Sequence, residues 1–98
     1  MMNLGKLRLL KYVSSFTDGR VRIRHPALRR SEILQVALEA MRTIHGVQNV
    51  EGNVVSGSVL ILYDSSIISR DRLMTVGEAW ALYLDAVQAG KQANLPEV

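Results

Sequence analysis

Charged and β-branched residues alternate over Gly19-Arg20-Val21-Arg22-Ile23-Arg24, the period-two pattern of a strand with one buried face. Val21 and Ile23 would face a core, leaving Arg20, Arg22 and Arg24 in a row on the other side. Asp18-Gly19 supplies a turn before this strand, and Pro26 ends it by removing a backbone donor. After a loop over residues 27–30 the period changes. Leu34, Ala37, Leu38, Met41 and Ile44 recur at helical spacing. Ser31 is placed to cap this helix with Glu32 in its first turn, and His45-Gly46 closes it. Residues 47–55 read as a strand with Val50, Gly52 and Val54 on one face. Ser56-Gly57 is a turn, and Ser58–Tyr63 is a strand whose β-branched and aromatic content suits the centre of a sheet. The short link predicts a hairpin, closed by Asp64-Ser65-Ser66.

Residues 69–89 carry a last helical stripe of Leu73, Val76, Trp80, Tyr83, Leu84 and Val87, with Ser69 as cap, Asp71 in the first turn and Gly90 as the stop. Gly77 lies inside and weakens the run by about 1 kcal/mol relative to Ala. At about 1.5 Å per residue this helix is roughly 30 Å long, whereas a short strand spans about 17–20 Å. It should overhang its sheet or break at Gly77. An overhanging stripe needs a cover, and the simplest is a homodimer through Trp80, Tyr83, Leu84 and Val87. Residues 1–18 fit neither period cleanly. A strand over residues 12–16, turned back onto the arginine strand, is the preferred reading. A short basic amphipathic helix over residues 4–12, suited to a membrane surface, competes with it.

With 98 residues, 48% of them hydrophobic, the chain is long enough for one domain with a modest core. The core would span about residues 12–90 and a tail residues 91–98. Cysteine is absent, which removes disulfides and thiolate sites. No apolar run approaches the roughly 18 residues of a spanning helix. The start has no apolar run beyond Leu9-Leu10, which argues against a signal peptide, so a cytoplasmic location is the default expectation. The net charge of +3 hides a segregation. Residues 1–30 carry eight basic groups against Asp18 alone, a net of +7, and residues 31–98 four against eight acidic ones, a net of −4. An anionic partner, or the acidic half of another copy, would be drawn to the first third.

The element order is most of a βαββαβ ferredoxin-like domain: α+β, an antiparallel sheet with two helices on one face. Gly19-Arg20-Val21-Arg22-Ile23-Arg24 before a helix, then His45-Gly46-Val47-Gln48-Asn49-Val50, then Ser56-Gly57-Ser58-Val59-Leu60-Ile61-Leu62-Tyr63-Asp64, resembles the heavy-metal-associated domain superfamily. The likeness is greatest to a variant bacterial branch that opens with a Gly-Arg-hydrophobic-Arg strand, and it covers about residues 12–74. Metal-binding members carry Cys-x-x-Cys in the loop between first strand and first helix, where two thiolates grip a soft cation. Here that loop is His25-Pro26-Ala27-Leu28-Arg29-Arg30, so the resemblance implies the fold and not the thiolate site. It also implies a last strand, and none is read after the second helix. The strand over residues 12–16, folded back as a hairpin, could take that place and cover the edge.

The resemblance leaves a transition metal as a possible cofactor, with His25 standing where the cysteines would stand, best as part of a site between subunits. Within one chain His25 and His45 would lie at opposite ends of a strand, some 17 Å apart, too far for one ion with ligands at roughly 2.0–2.3 Å. The arginine row suits a line of phosphates, on nucleic acid or lipid headgroups, with Arg20, Arg22, Arg24, Arg29 and Arg30 as contacts. Yet it offers no aromatic on which a base could stack. A plain solvated face, or one that meets an acidic partner, is the simpler reading. Asp71, Glu78 and Asp85, seven residues apart, could supply such a partner. Nucleophilic triads and phosphate-binding loops are missing, which points away from an enzyme. The expectation is a non-catalytic accessory or interaction domain in metal handling, whose partner by analogy is a metal transporter or another protein of that system. The alternative is an anion-binding module built on the arginine strand.

Overall fold

A computed structural model describes residues 7–96. The elements are α1 (Leu7–Leu10), β1 (Val13–Thr17), β2 (Arg20–Arg24), a 3-10 helix (Pro26–Arg29), α2 (Ser31–Arg42), β3 (Val47–Asn53), β4 (Ser58–Tyr63) and α3 (Arg70–Gln88). The four strands form one antiparallel sheet in the order β1-β2-β4-β3. This is the ferredoxin-like arrangement expected, and β1 sits beside β2 in the position that the last strand of that fold takes. The alternative helix over residues 4–12 survives in part as α1, its first residues lying outside those described.

Period-two alternation decides which side of the sheet is covered. Val21, Val50, Val59, Ile61 and Tyr63 share one buried cluster with Leu34, Leu38 and Met41 of α2 and Leu73, Val76, Trp80 and Leu84 of α3. Phe16 of β1 pairs with Val21 and packs against the same cluster. Arg20, Arg22 and Arg24 pair with Leu62, Leu60 and Ser58 of β4 on the opposite side.

Several boundaries differ from the sequence reading. Arg30, not Ser31, flanks α2, and it gives no side-chain cap. The 3-10 helix runs straight into α2, and the Arg30 N–H is already spent on Ala27 O at 3.2 Å. Ser69 does cap α3, accepting from Arg72 N–H at 3.1 Å. Helix α2 ends at Arg42, where the Thr43 hydroxyl donates to Ala40 O at 2.7 Å. Strand β3 stops at Asn53 because its side-chain Oδ1 accepts from Val55 N–H and Ser56 N–H, at 3.0 and 3.2 Å, folding a turn. Val54 is thereby exposed rather than inward.

Helix α3 runs unbroken through Gly77. A Cβ there would lie 2.8 Å from Leu9 Cδ2, so the missing side chain is the seat that lets α1 lie on α3. The Leu9 N–H also donates to Glu78 Oε2 at 2.7 Å. Much of the stripe expected to need a second copy packs within the chain. Trp80 and Leu84 are core residues, while Tyr83 and Val87 are partly buried against that core. An apolar cavity of about 60 Å³ remains between sheet and α3, bordered by Leu9, Phe16, Val21, Leu73 and Trp80.

Candidate functional site

The loop after β2 is fixed by one histidine. The His25 N–H donates to Gly57 O at 2.9 Å, which ties the loop to the β3–β4 turn. His25 Nδ1 accepts from Ala27 N–H at 3.0 Å and so caps the 3-10 helix. Since Nδ1 accepts, the ring proton sits on Nε2, which donates to Asp85 Oδ1 at 2.8 Å. Only 1% of His25 is exposed.

Asp85 collects two further donors. The Tyr12 hydroxyl donates to the same Oδ1, with the Tyr12 and His25 rings tilted at a centroid distance of 4.4 Å. Arg8 Nη1 donates to Oδ2 at 2.8 Å. Partial burial pushes the Asp85 carboxyl up, but the bonds from Tyr12, His25 and Arg8 outweigh it and hold it down to about 2. The bond to Asp85, helped by burial, raises the Tyr12 phenol above its ordinary value. The same carboxylate raises the Arg8 guanidinium.

This geometry gives His25 a role other than the expected metal ligand. One ring nitrogen holds a backbone N–H and the other a carboxylate, and the buried ring presents no free lone pair to an ion from its own chain or another. His45 lies at the far end of the sheet, where Gly46 O accepts from Asp64 N–H, so the two histidines are separated as expected. Among the described residues no group of three or more His, Asp or Glu side chains is placed to hold a metal.

The second feature is the open face of the sheet. Among the described residues Arg20, Arg22 and Arg24 form no ion pair, whereas Arg8 pairs with Glu78 and Asp85 and Arg30 with Glu32. Arg29 is exposed beside Gly57, at the Arg24 end of the row. The partly exposed Leu60 and Leu62 lie next to the row, with the exposed Asn49 and Glu51 of β3 beyond them and Ser15 and Thr17 of β1 on its other flank. The acidic stripe of α3 does not meet these arginines. Glu78 and Asp85 are taken by Arg8 and α1 instead.

Of the joined groups, His25 and Asp85 stand out in the sequence, each for another role, while Arg8 and Tyr12 do not. The seven-residue acidic spacing was the available signal, because an acid one position from Leu84 borders a buried stripe. Residues 8–81 match the family model heavy metal associated domain 2. The chain belongs to this family. No curated protein and no solved structure matches it. Among the described residues no helix of this heavy-metal-associated domain is long and apolar enough to cross a membrane.

Proposed function

We propose that this domain is a non-catalytic interaction module in metal handling, one that works through its surface rather than by gripping an ion in the β2–α2 loop. Family membership supports the setting. The observation that carries the reading is the double engagement of His25, which turns the loop that bears thiolates in metal-binding relatives into a structural joint. A protein of the same metal system, such as a transporter, is the partner this reading implies.

Calorimetric titration with Zn²⁺, Ni²⁺, Co²⁺, Cu²⁺ and Fe²⁺, on wild type and on His25→Ala, tests it. The expected result is no stoichiometric binding by the wild type. Stoichiometric binding that His25→Ala removes would show the loop to be a metal site and overturn the reading.

A further inference from the structure

We propose that the open face of the sheet, centred on Arg22, Leu60 and Leu62, is the docking surface, and that its occupant is an acidic amphipathic helix of a partner protein. This rests on the reading of the domain as an interaction module and names where and what it binds. All the described helices lie on one side of the sheet or against one another, and nothing in the described chain packs over the other side. On that bare side the three central guanidinium groups have no carboxylate among the described residues, whereas Arg8 and Arg30 each have one.

Spacing and charge select the occupant. Alternate residues of a strand recur at about 6.6 Å, and a helix presents the same face every four residues, about 6 Å on. Carboxylates at i, i+4 and i+8 can therefore meet Arg20, Arg22 and Arg24 in order. Apolar residues on the adjoining helix face would cover Leu60 and Leu62, which sit across the ladder from Arg22 and Arg20. Phosphate polymers fit less well. They have nothing to set against the two leucines, and the face carries no aromatic for stacking. A second copy does not provide the acidic helix, since Glu78 and Asp85 of α3 are already bound to its own α1.

The test is a ¹⁵N-resolved NMR titration of the full 98-residue chain with four probes. These are a short peptide with Glu at i, i+4 and i+8 beside a leucine stripe, its scrambled isomer, an oligothymidylate, and phosphatidylcholine–phosphatidylserine vesicles. The peptide should bind more tightly than its isomer, with shifts confined to β2 and β4. Arg20→Ala/Arg22→Ala/Arg24→Ala should lose at least tenfold in affinity, and Leu60→Thr/Leu62→Thr should lose several-fold even at high salt. If the triple variant loses its spectral dispersion, Arg22→Ala alone carries the comparison. Equal binding by the isomer, tighter binding by oligothymidylate or vesicles, or shifts that map away from β2 and β4 would each overturn the proposal. So would concentration-dependent shifts on this face without peptide. These outcomes leave the metal titration unchanged, so failure of the surface is distinguishable from failure of the module reading.

Discussion

His25 Nε2 donates to Asp85 Oδ1 over 2.8 Å and across 60 residues of chain. The same carboxylate receives Tyr12, which precedes β1, and Arg8 of α1. One side chain on α3 thus holds both the β2–α2 loop and the N-terminal segment whose strand completes the sheet. The loop after β2 is held in shape by the hydrogen bonds of the His25 ring to Asp85 and to the Ala27 N–H.

Replacing Asp85 with Ala should cost about 2–3 kcal/mol, since hydrogen bonds to charged groups contribute about 1.5–3 kcal/mol and the buried Nε2–H of His25 loses its partner. Tyr12→Phe, which removes one donor and leaves two, should cost about 1 kcal/mol. Urea unfolding measures both. An Asp85→Ala protein as stable as the wild type would show that the joint carries no stability.

Acid should weaken the wild type through this carboxylate. The Asp85 carboxyl is held at about 2 in the fold against an ordinary value of 3.8. Its contribution is therefore present above the unfolded value and lost as pH falls from about 4 through about 2. Glu32 and Asp64 are also held low, so the wild type alone cannot isolate the effect. Asp85→Asn keeps those two groups. Its urea midpoint should fall less between about pH 5 and about pH 2.5 than that of the wild type.

What the sequence reveals follows from how far apart the interacting groups lie. The alternation of Arg20 to Arg24 is a local signal, and the structure keeps it residue for residue. The turn at Asp18-Gly19 and the hairpin through Ser56-Gly57 are equally local. Ser31 fails as a cap because the 3-10 helix before it cannot be read from Pro26-Ala27-Leu28-Arg29. The stripe containing Trp80 is legible as apolar, but its cover is not. Leu9 lies in a segment with no clear period, and Gly77 reads as a weak point rather than as a seat. Asp85 is the extreme case: its partners are 60, 73 and 77 residues away, and spacing along one helix says nothing about them.

The seat of Leu9 on Gly77 makes a cycle of variants informative. Leu9→Ala should cost about 2–4 kcal/mol as a buried leucine that leaves a cavity. Gly77→Ala would gain about 1 kcal/mol of helix propensity but drives its Cβ against Leu9 Cδ2. In the wild-type background these effects should cancel or leave a net loss. In the Leu9→Ala background the clash is gone, and Gly77→Ala should stabilise by close to the full propensity gain. Additive behaviour in chemical denaturation would show that the two residues do not touch.

Gly57 joins the turn to the loop at a point where no side chain fits. Its φ is +69°, and a Cβ would lie 2.7 Å from His25 O. That oxygen accepts from Leu28 N–H, while Gly57 O takes the N–H of His25, so the clash falls on backbone that is bonded on both sides. Left-handed conformation alone costs a non-glycine residue roughly 1–2 kcal/mol, and here a steric term adds to it. Gly57→Ala should therefore destabilise by at least about 2 kcal/mol. It should also speed exchange of the Ala27 amide, because the ring that accepts this amide is positioned by the displaced backbone. Gly90→Ala is the control: its φ is +77° but no atom lies within 4 Å of the added Cβ, so it should show the conformational term alone. Equal costs at the two glycines, measured by urea unfolding, would mean that the loop yields freely at His25.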